Sequence, residues 1–181
     1  MRTLKIFAAA LSGLLLAFSV AAETATLTFV LTGDIYELDS SKGRGGMAKL
    51  STVVQQQRAK GAHVLFVHAG DTFSPSLLSG FTKGKQMVEI FNAMGLDYMV
   101  LGNHEWDFGN EVLHERIWEA NFPIITSNVL DEDGLAIDGT SNTAMVTVGP
   151  FRVGILGIVT PNTKVISSPG DMEFLPNVET T

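Results

Sequence analysis

Three apolar runs in this chain end in the same way. Residues 27–31 pass through Thr32 into Gly33-Asp34, residues 64–67 pass through His68 and Ala69 into Gly70-Asp71, and residues 98–101 lead into Gly102-Asn103. Each run has the length and the β-branched or aromatic content of a buried strand. Segments with helical periodicity separate them. This alternation restricts the chain to the α/β class with a mainly parallel sheet. In such sheets ligands bind beyond the carboxyl ends of the strands. Asp34, Asp71 and Asn103 are therefore expected in one place despite their distance in sequence. The glycine before each of them permits a tight turn or a close approach. Packing alone accounts poorly for three strands with the same ending.

The connecting segments complete the pattern. Residues 47–59 read as a helix with Met47, Leu50, Val53, Val54 and Gln57 along one side, stopped by Gly61. Residues 85–94 place Met87, Val88, Ile90, Phe91 and Met94 inward, with Gly95 as the C-terminal stop. Asn110 is placed to cap a helix over 111–120 that turns Val112, Leu113, Ile117 and Trp118 inward. Ile124 and Ile125 start a fourth strand that ends at Ser127-Asn128. Residues 144–148 and 151–159 flank Gly149-Pro150 and read as a hairpin, an antiparallel addition to the parallel core.

The third strand end carries the densest chemistry, Gly102-Asn103-His104-Glu105-Trp106-Asp107. Asn103 offers a neutral amide oxygen, His104 a nitrogen that titrates near neutrality, and Asp107 a carboxylate three residues later. A metal ligand, an acid or base and its orienting partner thus share one loop. The plainer alternative is a Gly-Asn turn that carries a solvated His and Asp. The other histidines carry less. His63 reads as a surface residue, His114 as a residue on a helix face, and His68 as a neighbour of Asp71.

Composition narrows the function. The chain has no cysteine, so disulfides and thiolate metal sites are excluded. Any metal site must draw on Asp, Glu, His, Asn or Tyr. Residues 1–22 read as a secretory signal, with Arg2 and Lys5 before an apolar stretch and Val20-Ala21-Ala22 before the cleavage point. An exported product is expected, periplasmic in a Gram-negative cell, with no membrane attachment after cleavage. Losing Arg2 and Lys5 takes the formal net charge from −7 to −9. So acidic a chain is a poor binder of DNA or RNA polymers. A small phosphate ester stays open to it, because divalent ions can neutralise clustered carboxylates. Neither a P-loop nor a Gly-x-Gly-x-x-Gly fingerprint is present.

With these motifs assembled, the chain resembles the N-terminal part of a calcineurin-like metallophosphoesterase, of the secreted 5'-nucleotidase and 2',3'-cyclic phosphodiesterase group. The carrying residues are Gly33-Asp34-Ile35-Tyr36, Gly70-Asp71 and Gly102-Asn103-His104-Glu105 with Trp106-Asp107. Gly45-Gly46 before a helix, Asn92-Ala93-Met94-Gly95 before Asp97, and Ser127-Asn128-Val129 support them. The resemblance spans residues 26–178. It implies an α/β/β/α sandwich, of which 23–181 would be an incomplete N-terminal portion. It also implies hydrolysis of phosphate esters, nucleotides above all, with two divalent ions such as zinc or manganese. Asp71 would bridge the two ions, Asp34 would hold the first, and the Asn103 amide oxygen the second. His104 would be the catalytic histidine with Asp107 as its partner. Tyr36 stands where the family most often has histidine, and tyrosine coordinates usefully only as phenolate. Tyr36 would thus be either a ligand at a weakened site or replaced there by water. Asn128 and Arg44 are the candidates for substrate contact. Related hydrolases of sugar-nucleotide or sulfur substrates, and a binding protein without turnover, are the alternatives. The family's further histidines, including a Gly-His-x-His motif, have no counterpart after His114, so the chain alone is expected to be inactive.

Overall fold

In the computed structural model the chain is described at residues 24–40, 43–61 and 63–177, and the expected export signal lies outside them. The chain alternates as its periodicity requires: β1 (Leu27–Thr32), α1 (Met47–Ala59), β2 (His63–His68), α2 (Ser79–Thr82), α3 (Lys85–Met94) and β3 (Tyr98–Val100). A single 3-10 turn, Asn103–Trp106, then leads to α4 (Gly109–Glu119) and β4 (Ile124–Ile125). The four strands form one sheet in the order β1-β2-β3-β4, every pair parallel. All four carboxyl ends therefore lie along one edge.

Alternation along the strands sorts side chains between two faces. Phe66 and Met99 turn towards the helices, where they join Val54, Met87, Val88, Phe91, Leu113 and Ile117 in the core. Full burial of such side chains stabilises by roughly 1.5–3 kcal/mol each. α3 ends at Gly95 in the left-handed conformation, as its sequence predicts.

On the opposite face, Phe29, Leu31, Val67, Tyr98 and Val100 line a groove of about 320 Å³. The groove's other wall comes from an antiparallel hairpin, β6 (Thr143–Val148) with β7 (Phe151–Leu156). Leu31 is 67% exposed there. A separate two-stranded pair joins β5 (Val129–Leu130) to β8 (Glu173–Phe174), and α5 (Thr163–Ile166) lies between β7 and β8 in the chain. None of the described helices is long and apolar enough to cross a membrane.

Four local expectations are corrected. Val53 is 44% exposed, so the inward stripe of α1 is narrower than its apolar residues suggest. Asn110 does not cap α4: the helix already includes Gly109, its N-cap is Phe108, and no side chain bonds across the cap. The Asn110 amide instead packs beneath Gly170, where an added Cβ would come within 3.0 Å of Nδ2. Trp118 is 69% exposed, whereas Arg116 of the same helix is buried in ion pairs with Glu115 and Glu119. The second hairpin strand stops at Leu156 rather than 159, because the chain then turns to the sheet, where Ser127 N–H donates to the Gly157 carbonyl at 2.7 Å.

Candidate active site

The ends of β1 and β2 are bonded to each other. Ala69 N–H donates to the Thr32 carbonyl at 2.7 Å and Asp34 N–H to the Gly70 carbonyl at 3.1 Å. Asp34 and Asp71 both sit at positive φ, 54° and 62°. Non-glycine residues seldom adopt this region, and such backbone collects at functional positions. Here it turns two carboxylates off the ends of adjacent strands. Gly70 and Gly102 meet back to back: a Cβ on Gly70 would lie 2.1 Å from Gly102 N, and one on Gly102 would lie 2.2 Å from Asp71 Oδ1. Their glycines are thus a steric requirement. Gly33 is less constrained, since the nearest atom to a Cβ there is at 3.6 Å.

Glu105 organises the two loops. It is fully buried, and its Oε2 accepts from Asp71 N–H at 2.8 Å and Gly102 N–H at 2.6 Å. Oε1 accepts from Thr72 N–H at 2.7 Å and Phe73 N–H at 3.3 Å. Burial raises its pKa, while these backbone donors oppose the shift. One carboxylate thereby fixes the strand-end backbone after β2 to that after β3. Thr72 adds a bond from its hydroxyl to the Ile35 carbonyl at 2.7 Å, tying in the loop after β1.

His104 follows Asn103 in the 3-10 turn, and its N–H donates to Asp71 Oδ1 at 2.9 Å. Its ring nitrogen Nδ1 lies 2.6 Å from Asp107 Oδ2, and the imidazole keeps 30% of its surface exposed. Burial disfavours the charged ring, but the bond to Asp107 and the negative charges of Asp107, Asp71 and Glu105 outweigh it, so the His104 pKa is raised. For Asp107, burial acts upward and is outweighed by the bonds from His104, Ser167 and Ser74, so its pKa is lowered. The pair is a proton-holding group with a fixed counter-charge, set beside a carboxylate-bearing strand end.

Tyr36 donates its hydroxyl to Asp34 Oδ1 at 3.1 Å and sets its ring edge-on to His104, centroids 5.6 Å apart. Desolvation, then the charge of Asp71 and the bond to Asp34, push its pKa up. In this arrangement it is a neutral donor to Asp34.

The structure thus brings Asp34, Tyr36, Asp71, His104 and Asp107 into one bonded constellation, with Asn103 at the head of the same turn. Arg44 is exposed in the loop before α1. Asn128 does not line the site. It is fully buried, its Oδ1 accepting from Val159 N–H at 3.0 Å and its Nδ2 donating to the Val159 carbonyl at 2.8 Å and the Leu175 carbonyl at 3.2 Å. It fastens β5 to the segments after β7 and β8. Sequence reasoning gives no role to Glu105, Ser74 or Ser167. Glu105 has a usable signal, a glutamate three residues after a turn-forming glycine, the spacing that returns a carboxylate to a helix start. The serines have none.

Asp34, Asp71 and Asn103 present hard oxygen donors suited to divalent cations. Among the described residues, however, no three His, Asp or Glu side chains converge as a group able to hold a metal ion. These three alone would supply part of a ligand shell and would not close one.

A sheet with two carboxylate-bearing strand ends and an adjoining Asn-His turn defines the class, and family comparison agrees. The chain belongs to the calcineurin-like phosphoesterase family, whose model matches residues 27–157. Among individual relatives, it is 35% identical over 179 residues to the snake venom 5'-nucleotidase of Gloydius brevicauda, covering 90% of this chain and 30% of that protein. It is 39% identical over 137 residues to the 5'-nucleotidase of Bos taurus, covering 74% of this chain and 24% of the relative. The crystal structure of a 5'-nucleotidase precursor from Thermus thermophilus superposes with a TM-score of 0.74 at 30% identity, over 84% of this chain and 32% of that one. The chain therefore spans about a third or less of the length of these relatives.

Proposed function

We propose that this chain carries the first half of the catalytic centre of an exported phosphoesterase acting on nucleotides. The observation that carries the proposal is the His104–Asp107 pair, held beside Asp71 by the His104 backbone N–H. Divalent ions, zinc or manganese being suited to the donors, would be held in part by Asp34, Asp71 and Asn103 and would supply a Lewis acid and an activated water. His104 can hold a proton next to the site, and the bond to Asp107 and the nearby negative charges favour its protonated form by raising its pKa. It can stabilise charge on a phosphoryl oxygen or protonate the leaving oxygen. Asp107 fixes the ring through Nδ1 and leaves Nε2 for the substrate. Tyr36 holds one oxygen of Asp34 in a set direction.

The test is phosphate release from nucleoside monophosphates by the full-length protein and its His104→Ala variant. The variant should lose about 10²–10⁴-fold in kcat, the usual contribution of a positioned acid or base, while its metal content stays the same. Near-parental kcat would remove His104 from the reaction. A parent that binds nucleotide but releases no phosphate would favour the binding-protein alternative.

A further inference from the structure

We propose that Ser74 and Ser167 are positioning residues, which lock the Asp107 carboxylate so that His104 presents one nitrogen in one orientation. The proposal rests on the role given above to His104. Asp107 Oδ2 accepts from His104 Nδ1 at 2.6 Å and also from the Ser74 hydroxyl. Asp107 Oδ1 accepts from the Ser167 hydroxyl at 2.7 Å. A carboxylate bonded through one oxygen can turn about its Cβ–Cγ bond and offer either oxygen to the ring. A carboxylate bonded through both is fixed in plane, because any turn breaks a bond on each side. The Ser74 oxygen also lies 3.3 Å from His104 Nδ1, so serine, imidazole and carboxylate close a triangle.

The locks come from separate parts of the chain. Ser74 lies in the turn after β2, 33 residues before Asp107. Ser167 caps the C-terminus of α5, 60 residues after it. Ser74 is buried and Ser167 half-buried, so water competes little at the first and only partly at the second. An imidazole whose Nδ1–H is held on a fixed carboxylate oxygen has its tautomer set, with Nε2 left to face a ligand. The end of α5 thereby bears on the site: the bond from Ser167 joins the segment after β7 to the loop after β3.

The decisive measurement is the tautomer of His104 in the ¹⁵N-histidine-labelled 181-residue chain. Long-range proton–nitrogen spectra are recorded at a pH where the same spectra show the ring to be neutral. The parent should give one tautomer with its proton on Nδ1. Ser167→Ala and Ser74→Ala should move both ring-nitrogen shifts towards tautomer-averaged values, and Ser167→Thr, which keeps the hydroxyl, should restore them. In the full-length protein each alanine variant should lower kcat for a nucleoside monophosphate by about 10-fold, the effect of a small misplacement of a reacting group, with KM within about twofold and Ser167→Thr recovering most of the loss. The proposal is overturned if the parent ring carries its proton on Nε2. It is equally overturned if both alanine variants keep parental shifts, or if Ser167→Thr behaves like Ser167→Ala, since a packing role would then suffice. Should Ser74→Ala fail to fold, the Ser167 pair decides. If the shifts respond as expected while the parent hydrolyses no phosphate ester, the positioning role stands and the hydrolytic role of His104 falls.

Discussion

Glu105 receives four backbone N–H groups on two oxygens inside a fully buried pocket. Glutamine would match its size and fail its function, because one of its two ends is itself a donor. An –NH₂ facing two N–H groups leaves them unpaired, at about 1–3 kcal/mol for each buried group. Glu105→Gln should therefore lower the unfolding free energy by at least about 2 kcal/mol, as read from urea denaturation; an unchanged midpoint would mean that the four bonds are dispensable. His68 gives a second residue-scale expectation. It is buried against Phe91 with ring centroids 4.7 Å apart, and its Nδ1 lies 2.9 Å from the Thr32 hydroxyl. Burial pushes its pKa down to about 4, against a smaller upward pull from Asp34. In the unfolded chain the ring titrates near 6.5. Above that pH neither state binds the proton and His68 adds no pH dependence. Between about 6.5 and 4 the unfolded state binds it and the folded state does not, so stability falls as pH falls. The whole interval corresponds to about 3 kcal/mol. His68→Gln, which does not titrate, should flatten the stability profile over this interval. Equal slopes for parent and variant would show that other groups govern acid unfolding.

At the scale of elements, the site depends on how strand-end loops cross. A Cβ on Gly70 would overlap the Gly102 backbone at 2.1 Å, and Gly70 has φ of 88°. Gly45 also has positive φ, 67°, but a Cβ there would meet nothing within 4 Å. Gly70→Ala should thus disrupt the β2–β3 crossing and cost several kcal/mol, in the range of severe backbone and overpacking effects. Gly45→Ala should cost only about 1 kcal/mol, the conformational penalty alone. Comparable melting temperatures for the two variants would contradict this steric account. The same comparison marks what the sequence makes legible. Strand, glycine and carboxylate lie within a few residues of each other, so Asp34, Asp71 and the Asn103-His104-Asp107 loop can be read from local order. Parallel topology then follows from the alternation with helices. Asn128 looks like the other strand-end polar residues, but local order does not show that β8 and the segment after β7 arrive to occupy its amide. Trp118 and Val53 depart from expectation for a related reason: apolar spacing on a helix does not reveal how wide a stripe its neighbours cover. Ser167 is illegible because its contact spans 60 residues and serine is common in turns.

For the whole molecule, the balance of charge and ligands sets the last expectation. The family relationship fixes the fold, yet the described residues bring together two strand-end carboxylates, an amide and a histidine already committed to Asp107. Asp71 Oδ1 accepts from the His104 backbone and Asp34 Oδ1 from Tyr36, so each carboxylate offers a cation less than its full capacity. No group of three His, Asp or Glu ligands converges among the described residues. A divalent ion on such a surface would keep most of its water, and the negative net charge would attract it only diffusely. The 181-residue chain should accordingly bind zinc or manganese no more tightly than the micromolar range, equivalent to about −8 kcal/mol. Its hydrolysis of a nucleoside monophosphate should be indistinguishable from that of a metal-only blank. Calorimetric titration of each ion into the chain, with Asp34→Asn and Asp71→Asn as controls, measures the first; phosphate release measures the second. Binding in the nanomolar range, abolished by either substitution, would mean that Asp34 and Asp71 close a metal shell with partners from this chain. Metal-dependent turnover well above the blank would show that the His104–Asp107 pair already meets a complete centre here.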